Sequence, residues 1–191
     1  MSRTSQNAIV ALGALFSWLL LWQLLVVERV DQQAAFSLWR LLFYVLIVLA
    51  PLLTFVPIAR WARAPFYDVE AVIGWASFGL VIGVMSPADP PTLLQFLLFL
   101  LPLTIAIATL GTLVSYLIGL RVYRNDPRRH DFVRARRQGY IAAMALVAGM
   151  LLFSVGTLSP TSAVLLVLVA VLAEMFSLSR DADRVRRILA Q

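Results

Sequence analysis

The chain has 191 residues, of which 61% are hydrophobic and 14% charged, with a formal net charge of +6 and a mean hydropathy of +0.88. About a quarter of the residues of a soluble domain are charged, so this composition excludes an ordinary soluble protein and indicates a polytopic membrane protein. The absence of cysteine excludes disulfides, thiolate metal sites and cysteine nucleophiles.

Six apolar segments separated by polar residues predict an all-α helical bundle with six transmembrane helices in a single domain, 1–191. A span needs about 20 mostly apolar residues, and each segment comes near that length. The predicted spans are 8–27, 41–58, 71–85, 93–120, 140–158 and 163–178. A cytoplasmic basic loop, 121–138, follows the fourth span, and a tail, 180–191, follows the sixth.

Individual spans carry features that predict their ends and bends. The first exceeds the apolar length of a signal peptide, which predicts a retained span. Pro51 and Pro57 are expected to kink or end the second span. The fourth span, 93–120, exceeds a ~30 Å hydrocarbon core, which predicts a tilt or a bend at Pro102. The turn 159–162 predicts an antiparallel hairpin of the last two spans.

The orientation follows from the arginines, because basic residues in short loops accumulate on the cytoplasmic side. With six spans and both termini in the cytoplasm, the inner segments contain 14 of the 16 basic residues, all of them arginine. The outer segments contain only Arg29 and Arg40. We therefore predict this topology, in the cell membrane and most simply in a bacterial inner membrane.

Labelling of single cysteines, introduced into the cysteine-free chain, tests this topology. Asp89→Cys and Ser159→Cys should react with a membrane-impermeant thiol reagent added outside intact cells, because both positions follow an outward-running span. Asn125→Cys should react only after permeabilisation and is the matched control. Labelling of Asn125→Cys in intact cells would contradict the predicted orientation.

The basic loop holds seven arginines in eighteen positions. Asp126 and Pro127 predict an N-cap and a first helical residue, so that a helix restarts there and runs into the fifth span. Clustered arginines beside a span attract anionic lipid headgroups. We expect the loop to set topology and contact lipid, with an acidic partner as the alternative, and we expect no nucleic-acid binding because no recognition motif accompanies the charge. The arginines concerned are Arg121, Arg124, Arg128, Arg129, Arg134, Arg136 and Arg137.

The tail 180–191 allows two interpretations. Its apolar residues recur at helical spacing, which predicts a short amphipathic helix on the inner membrane surface. The alternative is a frayed extension of the sixth span.

Small residues at helical spacing predict close helix packing, because packing contacts drive helix association in lipid. We expect these faces to pack within the bundle, with a homodimer or a partner subunit as the alternative. The predicted packing residues are Gly79, Gly83, Gly111, Ser115, Gly119 and Gly149.

Glu174 is the principal ionisable residue inside a span, and such residues are functional candidates because burying charge in lipid is costly. A functional interpretation makes it a proton- or cation-coupled site. A structural interpretation, which we favour, pairs it with an arginine across the bundle, such as Arg60, Arg63 or Arg121. Gln23 and Gln95, the other polar candidates in the spans, are expected to form helix–helix hydrogen bonds or to lie at the interface.

Catalytic patterns are lacking in the sequence. The single histidine, His130, lies outside the spans, and there is no HExxH, P-loop or GxGxxG motif. We therefore expect no enzyme, no cofactor and no metal site. Two functions remain: a non-catalytic accessory or scaffold subunit that meets partners and anionic lipid, or a small transporter or lipid-handling protein that uses the bundle interior near Glu174.

Overall fold

A computed structural model describes residues 3–85, 92–122 and 131–189, with side chains described in residues 5–179 of these ranges. These ranges form six α-helices and one short 3-10 helix, Val30–Gln32. The α-helices are α1 Arg3–Val26, α2 Leu38–Ala62, α3 Tyr67–Val84, α4 Leu93–Val122, α5 Phe132–Ser154 and α6 Pro160–Leu189. All six are long and apolar enough to cross a membrane, which confirms the predicted all-helical class.

The chain folds into two compact units, Met1–Ala106 and Ile107–Gln191, and the boundary between them lies inside α4. In the first unit α1 packs against α2, and α2 packs against α3. In the second unit α5 packs against α6. The prediction of a single domain over 1–191 stays a prediction.

The core of the first unit contains aliphatic residues and a chain of aromatic rings. Leu21, Leu24 and Val30 are buried with Phe43 from α2, so the 3-10 helix covers one end of the α1–α2 pair. Trp75 of α3 contacts Trp18 edge-on at a centroid distance of 5.5 Å and stacks on Phe55 at 6.2 Å. Edge-on and offset ring pairs of this kind stabilise packing beyond the area they bury.

The two internal prolines of α2 do not end the helix, which continues through Pro51 and Pro57 to Ala62. The helix ends where Arg63 adopts a left-handed conformation, with φ 53°, and donates its N–H to the carbonyls of Ala59 and Arg60. The backbone of α4 is likewise helical through Pro102. Each proline removes one backbone hydrogen bond, and the turns on both sides of it remain helical.

The helix α5 begins eight residues before the predicted span, so residues 132–138 of the predicted loop are helical. Asp131 is its N-cap, and the Asp131 carboxylate accepts a hydrogen bond from the Arg134 N–H at 3.0 Å. A helix that leads from the basic loop into the fifth span was predicted from the capping signal, whereas hydropathy did not include these residues because three of the seven are arginines. The predicted cap at Asp126 and Pro127 lies outside the described residues.

The hairpin turn between α5 and α6 lies earlier than predicted. Gly156 adopts φ 72°, its N–H bonds to the Phe153 carbonyl, and the Thr157 N–H bonds to the Leu152 carbonyl at 2.9 Å. This is a Schellman motif, which requires a residue that tolerates the left-handed region. Pro160 is therefore the first residue of α6, where its missing N–H costs little.

The sixth helix extends to Leu189, so the backbone of 180–189 continues the sixth span. The amphipathic character predicted for the tail concerns side chains outside the described set. In the candidate span Pro160–Ser179, the most apolar window has no buried residue. Ala163, Leu166, Ala170 and Glu174 are partly buried on one face of α6, and the other faces expose aliphatic and aromatic side chains, as expected of a helix that contacts lipid on those faces.

Candidate functional site

Glu174 of α6 forms a bidentate ion pair with Arg137 of α5. The Arg137 Nε and Nη2 atoms lie 3.2 Å from the two carboxylate oxygens of Glu174. The two side chains are 21% and 20% exposed, respectively, so both charges are largely removed from solvent. Fork-to-fork geometry of this kind is the strongest form of an arginine–carboxylate contact.

Gln138 links this ion pair to α4. Its side-chain amide donates a hydrogen bond to Glu174 Oε1 at 3.1 Å, and its carbonyl oxygen accepts one from the Ser115 hydroxyl. Glu174, Arg137, Gln138 and Ser115 thus form one hydrogen-bonded cluster, which we call the Glu174 cluster. It connects α4, α5 and α6, and both oxygens of the Glu174 carboxylate have partners.

Two glycines bring α4 and α5 close enough for the Ser115–Gln138 hydrogen bond. A Cβ atom built on Gly111 would lie 3.1 Å from the Gly139 Cα, and one built on Gly139 would lie 2.7 Å from the Ala108 carbonyl oxygen. The backbones therefore touch at this crossing. Ser115 lies one turn beyond Gly111 on the same face of α4, next to Gln138 of α5.

Arg134 continues the same contact by a further turn. Its guanidinium lies directly over Gly119, and the residue is only 9% exposed. The predicted packing residues Gly111, Ser115 and Gly119 therefore all face α5. Arg134, predicted to contact lipid or a partner, is turned toward the last turns of α4, where a positive charge interacts favourably with the helix C-terminus.

The other predicted packing glycines have more varied surroundings. A Cβ on Gly79 would lie 2.8 Å from Ile47 Cδ1, and Gly83 lies against the Phe43 ring, so both glycines face α2. Gly149 is less constrained, since a Cβ there would lie 3.5 Å from Leu166 of α6.

The described arginines of the predicted loop fall into two groups. Arg121 and Arg136 are exposed. Arg134 is buried, and Arg137 is half-buried in the Glu174 cluster. The remaining three, Arg124, Arg128 and Arg129, lie outside the described residues. The surface available for lipid or a partner is therefore smaller than the sequence indicated.

Gln23 and Gln95 do not belong to the Glu174 cluster. The Gln95 side chain accepts from the Thr92 N–H at 3.0 Å, and the Thr92 hydroxyl accepts from the Gln95 N–H at 3.3 Å. This reciprocal pair is a capping box at the start of α4, and the sequence Thr-x-x-Gln is its ordinary signal. The Gln23 side chain is exposed near the end of α1.

Several hydroxyl groups inside the helices form hydrogen bonds within their own helix. Ser17, Thr54, Thr104 and Thr112 each donate to the carbonyl four residues earlier, at 2.7 to 2.8 Å. Such bonds satisfy a hydroxyl within its own helix. These four residues therefore meet their hydrogen-bonding needs without a ligand.

Sequence reasoning missed the partners of Glu174. It named Arg60, Arg63 and Arg121, and the structure instead pairs Glu174 with Arg137. Arg137 was placed in the basic loop 121–138, in the part expected to be helical, and it lies in the second turn of α5. A signal was present: in an antiparallel hairpin, residues equally distant from the turn face each other. Arg137 lies 19 residues before Gly156 and Glu174 lies 18 residues after it.

In the Glu174 cluster the negative charge of Glu174 is neutralised by Arg137. Arg137 and Gln138 are hydrogen-bonded to the Glu174 carboxylate. The Ser115 hydroxyl donates to an amide oxygen and not to a base, so it is not an activated nucleophile. Among the side chains described in residues 5–85, 92–122 and 131–179, no three histidine, cysteine, aspartate or glutamate side chains are grouped to hold a metal ion.

The findings support a multi-pass, all-helical membrane protein as the class of this chain. Comparisons with family models, with curated proteins and with solved structures find no match. Function must therefore be inferred from the geometry of this chain.

Proposed function

We propose that the protein is a non-catalytic accessory or scaffold subunit of the cell membrane, with six spans and both termini in the cytoplasm. Its cytoplasmic arginine-rich face meets anionic lipid headgroups and an acidic partner. In bacteria this is the inner membrane.

The observation that carries the proposal is the division of the charged groups into two sets. The intramembrane carboxylate is engaged by Arg137 and Gln138, which favours a structural role for Glu174 over transport. In contrast, Arg60 and Arg63 at the end of α2, and Arg121 and Arg136 at the ends of α4 and α5, are exposed. Exposed arginines at the ends of apolar helices are placed to meet headgroups.

The phospholipid composition that co-purifies in mild detergent tests the proposal. We expect anionic phospholipids to be enriched over their share of the membrane, as measured by lipid mass spectrometry. Because one arginine near an anionic surface contributes about 1 kcal/mol, Arg121→Gln and Arg136→Gln should each lower the enrichment roughly fivefold.

The matched control removes one arginine from the predicted outer side. Arg29→Gln has the same charge change and an exposed position, and it should leave the enrichment unchanged. Equal enrichment in the wild type and in Arg121→Gln and Arg136→Gln variants would count against the proposal. An equal drop of the anionic-lipid enrichment in the Arg29→Gln variant would show that the enrichment depends on net charge and not on the cytoplasmic arginines, which would also count against the proposal.

A further inference from the structure

A groove of about 700 Å³ lies between α1 and α2 in the first unit. Its volume is within the roughly 300–1,000 Å³ of ordinary ligand clefts. The α1 wall is formed near the start of that helix, and the α2 wall is formed near its end. Its lining residues are Gln6, Asn7, Val10, Ala11, Thr54, Pro57, Ile58, Arg60 and Trp61.

The groove is polar at one end and apolar along its length. Arg60 lies at the polar end with Gln6 and Asn7, and all three side chains are exposed. Val10, Ala11 and Ile58 line the part that runs along the helices. A ligand that matches both parts has an anionic group attached to an apolar chain.

At Thr54, a lining residue, a hydrogen bond joins the two helices. The Trp18 indole N–H donates to the Thr54 hydroxyl at 2.9 Å, and Thr54 donates to the Ala50 carbonyl at 2.8 Å. The Thr54 hydroxyl already has one donor and one acceptor partner, so Arg60, Gln6 and Asn7 supply most of the polar groups that line the groove. The polar contacts of a ligand are concentrated at the Arg60 end.

The aromatic residue at the polar end fits a membrane interface. Trp61 is 62% exposed and adjoins Arg60 in the last turn of α2, at the edge of an apolar helix. Tryptophan is enriched at the headgroup level of membranes. When α1 and α2 span a membrane, the charged end of the groove would lie at the depth of phospholipid phosphates and the apolar length at the depth of the acyl chains.

We propose that the α1–α2 groove is a binding site for one anionic glycerophospholipid. Its phosphodiester is bound by Arg60 and the carboxamides of Gln6 and Asn7, and one acyl chain lies along Val10, Ala11 and Ile58. This site deepens the proposed contact with anionic lipid and rests on it. It differs from general headgroup attraction in holding one molecule at a defined position.

Native mass spectrometry of the full chain, purified in mild detergent with added phosphatidylglycerol or phosphatidylcholine, tests the site. The wild type should retain one phosphatidylglycerol molecule per chain and at least tenfold less phosphatidylcholine. Arg60→Gln should reduce the retained phosphatidylglycerol at least tenfold, because it removes a charge-assisted hydrogen bond. Ala11→Trp should do the same by filling the groove.

Two matched controls separate the site from its surroundings. Arg63→Gln removes an exposed arginine of the same turn that does not line the groove, and Ala8→Trp adds the same bulk to an exposed position of α1 outside the lining. Both should retain the lipid as the wild type does. An excess of inorganic phosphate should not displace it, because the acyl chain contributes to binding.

Several outcomes would overturn the site. The first is equal retention of phosphatidylglycerol and phosphatidylcholine by the wild type. The second is undiminished retention of phosphatidylglycerol by both the Arg60→Gln and the Ala11→Trp variant. The third is displacement of phosphatidylglycerol by inorganic phosphate. A lipid-free dimer that Ala11→Trp dissociates would assign the groove to a second copy of the chain. If Arg121→Gln and Arg136→Gln still lower the general anionic enrichment, the groove proposal alone has failed and the proposed function stands.

Discussion

Replacing Gly139 with alanine should destabilise the protein by about 2 kcal/mol, although the substitution adds only one methyl group. The new Cβ would meet the backbone N–H and hydroxyl of Thr112 and would lie 2.7 Å from the Ala108 carbonyl oxygen. These are mostly backbone atoms of α4, which cannot rotate away as a side chain can. The helices must separate, and overpacking of this kind costs about 1–3 kcal/mol. Chemical unfolding in detergent, followed by circular dichroism, measures the loss.

Gly149→Ala is the matched control on the same helix, and the expected result has the opposite sign. The nearest atom to its new Cβ is Leu166 Cδ2 at 3.5 Å, an ordinary van der Waals contact. Alanine is favoured over glycine in a helix by up to about 1 kcal/mol, so this variant should be unaffected or slightly stabilised. Equal stability of the Gly139→Ala and Gly149→Ala variants would show that the α4–α5 crossing is not closely packed.

The separation of α4 and α5 has a further consequence for the polar cluster. Gly139 adjoins Gln138, so moving the helices apart in Gly139→Ala should break the Ser115–Gln138 hydrogen bond as well. Ser115→Ala alone should cost about 1 kcal/mol, the ordinary net value of one hydrogen bond. In the Gly139→Ala background the same substitution should cost less, because the bond is already lost.

Replacing Glu174 with glutamine should lower the free energy of unfolding by about 2 kcal/mol and leave any transport activity unchanged. The substitution removes the charge that pairs with Arg137 but keeps the size of the side chain and an oxygen for Gln138. An arginine that loses its carboxylate partner in a buried position costs about 3–5 kcal/mol. We expect less here because the pair is one-fifth exposed.

A double-mutant cycle isolates the ion pair. Arg137→Gln should also destabilise the protein, and the Glu174→Gln, Arg137→Gln double variant should be more stable than the sum of the two single losses, because it leaves no unpaired charge. Glu28→Gln, in the loop after α1, is the control for removing an acid and should change stability by less than about 0.5 kcal/mol.

The same variants distinguish the two functional interpretations of Glu174. Reconstitution into vesicles loaded with a pH-sensitive dye measures proton flux directly. If Glu174→Gln abolished a wild-type flux while stability stayed unchanged, the cluster would be a transport site and the proposed accessory role would be incorrect. Loss of stability without loss of flux supports the structural role.

Hydropathy located all six helices in the sequence, because an apolar run of about 20 residues has one common solution in a membrane. It was less accurate at their ends. Asp131 caps α5 ahead of the predicted span, and Gly156 ends that helix before its predicted limit. Both helix ends are decided by hydrogen bonds of side chains and backbone. A count of apolar residues along the sequence does not detect these bonds.

The small-residue pattern on α4 identified a contact face before the partner helix was known. Gly111, Ser115 and Gly119 all face α5 in the structure. The residue opposite Gly111 was not found, because Gly139 lies between the predicted loop, 121–138, and the predicted fifth span, 140–158, and no packing pattern included it. Gly74 was also missed, although a Cβ atom built on it would lie only 2.6 Å from Ile105 Cγ2.

By itself, the sequence determined the all-helical class and singled out Glu174 as the unusual charge in an apolar helix. These properties depend on composition and on spacing along one helix. Only the tertiary structure decided which partners that charge has, which arginines turn inward and where a groove opens between α1 and α2. Those properties depend on the register between helices, which is set by backbone contacts such as Gly111 with Gly139 and by turns such as Gly156.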